Sequence, residues 1–195
     1  MITKLKSFLM LAIVSIFAVA GMTSCSTDDV PFDENGEINA PALVHKYFGL
    51  SPEELKVKMI LAKTSLVSED KNSLVFKKND AEPLKFTFQY SGGKMTGAEA
   101  RVVSNNMMSY FKKWDALMLD KKADFSSFQA HNKDLNKYYY THDEFVADIS
   151  ENTKWALEEA IDHNAKQIIE IGIDGDDLYY FFGEYFYWDY DNNIQ

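Results

Sequence analysis

Leu84, Phe86, Phe88 and Tyr90 alternate with Lys85, Thr87 and Gln89, which predicts a half-buried antiparallel strand over residues 84–90. Gly92-Gly93 just beyond it reads as a hairpin turn, and Leu74-Val75-Phe76 just before it as a shorter strand. The period then changes. Val103, Met107, Tyr110, Phe111, Trp114, Leu117 and Met118 step by three and four, predicting an amphipathic helix over about 98–119. A polar loop over 120–140 follows. Phe145, Ile149, Ala156, Ala160 and Ile161 then predict a second long helix over about 141–166, opened by the capping-box pattern Thr141-His142-Asp143-Glu144. Upstream, residues 40–49 read as a short helix with Pro41 in its first turn and Gly49 as its stop. Ser51-Pro52-Glu53-Glu54 is another capping box, opening one or two helical turns and then a strand to about residue 67. At the far end, 168–173, 178–182 and 185–190 read as strands. Asp174-Gly175-Asp176-Asp177 is the first turn between them, and Gly183-Glu184 is a second turn or bulge. Strands at both ends with helices between predict the α+β class: an antiparallel sheet with two long amphipathic helices packed on it.

The first 24 residues do not belong to that domain. Lys4 and Lys6 precede an uncharged apolar run over residues 8–20, too short to span a bilayer, where about 20 residues are needed. Met22-Thr23-Ser24-Cys25 comes directly after it, and Cys25 is the single cysteine of the chain. This arrangement resembles a bacterial lipoprotein signal, with methionine where leucine is usual. The resemblance implies cleavage before Cys25 and lipidation of its thiol and new amino group. Ser26-Thr27-Asp28-Asp29 is similar to the acidic export signal of Bacteroidota lipoproteins, which implies the outer face of the outer membrane, with the periplasmic face as the alternative. An ordinary secretory signal with an incidental cysteine, or an uncleaved anchor, is the plainer alternative. The expected division is a signal at 1–24, a lipidated acidic tether at 25–39 and one α+β domain at 40–195, with no internal repeat evident.

Charge narrows the partners. The chain has 20 Lys and Arg against 30 Asp and Glu. Loss of Lys4 and Lys6 with the signal leaves 18 against 30, a net charge of −12. That repels polyanions and argues against nucleic acid, while favouring cations or a basic partner. Lipid supplies the membrane association, since several acyl chains hold where one does not.

Candidate chemistry is sparse. His45, His131, His142 and His163 are scattered, with no metal-ligand spacing, so neither metal nor cofactor is expected. The aspartates of 174–177 lack the closing glutamate of a calcium loop. Gly93-Lys94-Met95-Thr96 lacks the first glycine of a phosphate loop. No Gly-x-Ser-x-Gly elbow exists. Glu158, Glu159 and Asp162 read as a solvated helix face beside Lys154 and Lys166, with His163 near that helix's end. A glycan-acting pair of carboxylates is the remaining enzymatic alternative. The unusual feature is aromatic crowding over 179–190. Tyr185, Tyr187, Trp188 and Tyr190, with Glu184 and Asp189, are the candidate ligand-binding residues. Aromatic rings flanked by carboxylates suit sugar rings, and they suit a basic protein equally. The expectation is a non-catalytic, lipid-anchored envelope protein binding glycan or protein. The alternative is an acidic inhibitor or immunity-type protein against a basic toxin or lysozyme-like enzyme.

Overall fold

The computed structural model describes residues 30–33, 36–78, 83–104, 106–123 and 125–185, with backbone alone over 118–123. From Pro31 onward the described residues form one compact unit. At its start, Phe32 bridges Ile38 and the Asn39 amide donates to the Pro31 carbonyl at 2.9 Å, so this stretch folds back as a hairpin. Lys113 fastens it, with its ammonium 2.5 Å from Asp33 and 2.9 Å from Glu37.

Two short helices follow. In α1 (Ala40–Tyr47), Ala40, Leu43, Val44 and Tyr47 are buried at helical spacing. The Asn39 side chain caps it, accepting from the Ala42 amide at 3.0 Å. Gly49, at φ 89°, ends it. In α2 (Pro52–Leu61) the Ser51–Glu54 capping box is formed in both directions, and the helix runs longer than the sequence suggests. Then come β1 (Ser65–Glu69), β2 (Ser73–Lys78), β3 (Leu84–Ser91) and β4 (Lys94–Val103). α3 (Met107–Ala123) leads to β5 (Ser127–Asn132), β6 (Lys137–Tyr139) and α4 (His142–Ala147). β7 (Trp155–Asp162), β8 (Gln167–Asp174) and β9 (Asp177–Glu184) finish the described chain.

The nine strands among the described residues join one antiparallel sheet in the order β1-β2-β3-β4-β9-β8-β7-β5-β6. The predicted α+β layout with two long helices is therefore overturned: the domain is mostly sheet, with four helices among the described residues. The helix predicted over 98–119 begins only at Met107, and the one predicted over 141–166 is helical only over His142–Ala147, each for an identifiable reason. Residues 98–103 belong to β4, whose buried face is Ala98, Ala100 and Val102. Alanine is the best helix former, but here it is the small residue that lets α1 approach β4 and β9 closely. Residues 155–162 are β7, where the buried positions Ala156, Glu158 and Ala160 include a carboxylate that hides the strand period. The predicted loop over 120–140 holds the end of α3 and strands β5 and β6. Gly183-Glu184 is no turn, since β9 runs through both.

The sheet is two similar halves back to back. β1 to β4 and β5-β7-β8-β9 are each four-stranded meanders preceded by helix, and they meet at β4 and β9. Leu84 and Lys94 open β3 and β4 at the same separation as Gln167 and Asp177 open β8 and β9. Gly92-Gly93, at φ 58° and 81°, makes one hairpin turn, and Gly175, at φ 68°, lies in its counterpart. β6 and α4 are inserted in the second half. α1 and α3 pack across β4, β9 and β8. Under them, Phe86, Ala100, Tyr180 and Ile171 form one cross-strand row of the core. Tyr180 is the pivot: its hydroxyl hydrogen-bonds His45 Nε2, whose ring stacks on Phe182 at 4.0 Å.

Candidate functional site

Helices cover one face of the sheet, and among the described residues none packs on the other. Residues paired across antiparallel strands share a face. One row of the uncovered face runs Val75, Thr87, Glu99, Phe181, Glu170, Glu159 and Gln129. The next runs Lys77, Lys85, Arg101, Tyr179, Gly172, Leu157, His131 and Tyr138. The first half of the face is thus basic at its margin, and the second half is aromatic and acidic.

Three glycines shape the middle. A Cβ at Gly172 would stand 2.3 Å from the Tyr179 ring, and one at Gly183 2.5 Å from Phe181. Gly97, paired with Gly183, also lies under Phe181. These rings can lie down on the sheet only because their neighbours carry no side chain. Arg101 stands 5.0 Å from the centre of the Tyr179 ring and donates to Glu99 and to Asp177, each at 3.0 Å. Those carboxylates hold its guanidinium strongly protonated. Towards β6, the His131 and Tyr138 rings stack in parallel at 4.0 Å, and Trp155 meets His131 edge-on at 5.2 Å. Tyr138 and Tyr140 are 67% and 81% exposed.

Glu170 is the electrostatic centre of the acidic half. Burial first, then the charges of Glu159 and Glu99, push its carboxyl up to about 7. Glu159 accepts from the Gln129 amide at 2.8 Å. Burial likewise raises Tyr179, with Glu170 adding to it.

The sequence-predicted site is described only in part. Cys25, Tyr187, Trp188, Asp189 and Tyr190 lie outside the described residues. Glu184 ends β9 and pairs with Lys94; the Tyr185 amide donates to the Lys166 carbonyl at 2.7 Å. Both line a depression of about 820 Å³ with Phe48, His163, Lys166 and Gln167. His163 lies in the β7–β8 turn, 5.8 Å from the Tyr185 ring, and not at a helix end. Glu158 and Glu159 share no solvated helix face either: Glu158 is 1% exposed in the core, and Glu159 is on the open sheet. Tyr179 and Phe181 were visible as part of an aromatic crowd. Their separation from Tyr180 and Phe182 was not, because both faces of β9 are aromatic.

This arrangement defines a one-sided sheet domain with an aromatic and acidic open face. The chain matches no protein-family profile, no curated protein and no solved structure. No helix among the described residues is long and apolar enough to cross a membrane.

Proposed function

We propose that the chain is a lipid-anchored, non-catalytic protein of the outer membrane that captures a basic protein partner on its open sheet face. One observation carries the binding reading: Glu99, Glu170 and Glu159 share a row beside Tyr179, Phe181 and Leu157, and the neighbouring charges acting on Glu170 are both negative. A lysine or arginine brought there relieves that repulsion while aromatic rings supply contact area. The anchor rests on the signal at residues 1–24 and on Cys25. A Cys25→Ala chain should lose its membrane fractionation, and unchanged fractionation would end that half of the reading.

A lysozyme serves as the basic probe, with affinity measured at about 50 and about 300 mM salt. Binding should weaken with salt, and it should fall with Glu159→Gln and with Tyr138→Ala. Salt-independent binding indifferent to Glu159→Gln counts against it.

A glycan is the second reading, favoured by the depression that Tyr185 and Phe48 line with Lys94, His163, Gln167 and Glu184. Retention on a polysaccharide column lost with Tyr185→Ala, and unaffected by Glu159→Gln, would move the function there.

A further inference from the structure

We propose that Asp115, His142 and Glu158 form a binding site for a divalent cation, with zinc the ion their donor set fits. The three residues come from α3, α4 and β7, and their ligand atoms all lie within 4.8 Å of one another. His142 Nε2 stands 2.8 Å from Asp115 Oδ2 and 3.0 Å from Oδ1. Asp115 is 7% exposed and Glu158 1%. Glu158 is the one charged residue in a core row that otherwise runs Phe76, Phe86, Ala100, Tyr180, Ile171, Ala130 and Tyr139.

Two carboxylates withdrawn from water close to one another are expensive to keep charged. A divalent cation neutralises both carboxylates and leaves the imidazole free to ligate as the neutral base. One ring nitrogen and two carboxylates are a zinc donor set with a fourth position left for water. Calcium asks for six to eight oxygens, and magnesium for an octahedron of them, neither of which this group provides. Ligand atoms on a tetrahedral zinc stand about 3.4 Å apart, from bonds of roughly 2.0–2.2 Å. The His142–Asp115 pair already lies inside that spacing, and a Glu158 carboxylate oxygen lies within 4.8 Å of both. Two helices and a strand hold the ligands, so little ordering remains to be done. His142 Nδ1 lies 3.6 Å from the exposed Asp143 carboxylate. The His142 side chain is 24% exposed, which gives the ion an entrance. This inference is independent of the reading of the open face.

The test uses the full chain stripped with a chelator and titrated with Zn²⁺ by calorimetry, with Co²⁺ as a spectroscopic stand-in. One equivalent should bind, the melting temperature should rise with free zinc, and cobalt should give the intense visible bands of low coordination. His142→Ala and Glu158→Gln should each abolish the saturable equivalent, while His163→Ala retains it. Absence of a one-to-one equivalent overturns the proposal, as does binding that survives His142→Ala. A protein stabilised by acid and indifferent to zinc also overturns it, since a proton shared between Asp115 and Glu158 would then do the neutralising. The cobalt spectrum needs no variant, so a Glu158→Gln chain that fails to fold leaves the test intact.

Discussion

Replacing Glu170 with glutamine removes a charge from the middle of the open face while keeping the side chain's shape. The folded chain holds the Glu170 proton up to about pH 7, whereas the free side chain releases it near 4.5. The folded state therefore binds the extra proton between those values. Stability from this group is greatest below about pH 4.5, falls as pH rises, and levels off above about 7. At roughly 1.4 kcal/mol for each tenfold change in acidity, the full loss comes to about 3 kcal/mol. Solvent on the open side trims it to roughly 2–3 kcal/mol. Glu170→Gln escapes this loss. In urea unfolding at equal m-values, its advantage over the unaltered chain should be about 2 kcal/mol larger at pH 8.5 than at pH 5. Added salt should shrink the part due to Glu159 and Glu99 and leave the part due to burial. An advantage equal at both pH values would refute the reasoning, because it would place Glu170 in ordinary solvent.

Ser51→Ala removes one side of the capping box at the start of α2 and should cost about 1 kcal/mol, read as a lower urea midpoint. Gly172→Ala puts a methyl group where the Tyr179 ring lies; it should cost roughly 1–3 kcal/mol and weaken association with a basic protein as that ring lifts. A Gly172→Ala chain as stable as the original would mean that the ring does not rest on the sheet.

The legible parts of the fold were those where one interaction dominates. The alternation of 84–90, the Gly92-Gly93 hairpin, the Ser51 box and the Gly175 turn each depend on neighbours in sequence, and the structure has all four. What escaped depends on partners far along the chain. Ala98 and Ala100 choose a strand because α1 lies over them and β3 and β9 flank them, which no local propensity carries. The acidic row escaped for the same reason, because Glu99, Glu170 and Glu159 are adjacent only through strand register. The histidines gave no metal-ligand spacing because a site built from three elements has none. On the predicted site, Glu184 and Tyr185 alone fall within the described residues, and they face a depression apart from the acidic row.

β7 ties the two proposed sites together and also separates them. Glu158 and Glu159 are consecutive, so the strand sends one carboxylate under the helices and the other onto the open face. Identical substitutions one residue apart should therefore act on different chemistry. Glu159→Gln removes one of the charges that raise Glu170, so the Glu170 carboxyl should titrate lower. It should also weaken the basic partner and leave the zinc equivalent unchanged. Glu158→Gln should abolish the zinc equivalent and leave partner affinity unchanged. If both variants lost partner binding to the same degree, the sheet would be transmitting a general loss of structure, and the assignment of two functions to its two faces would fall.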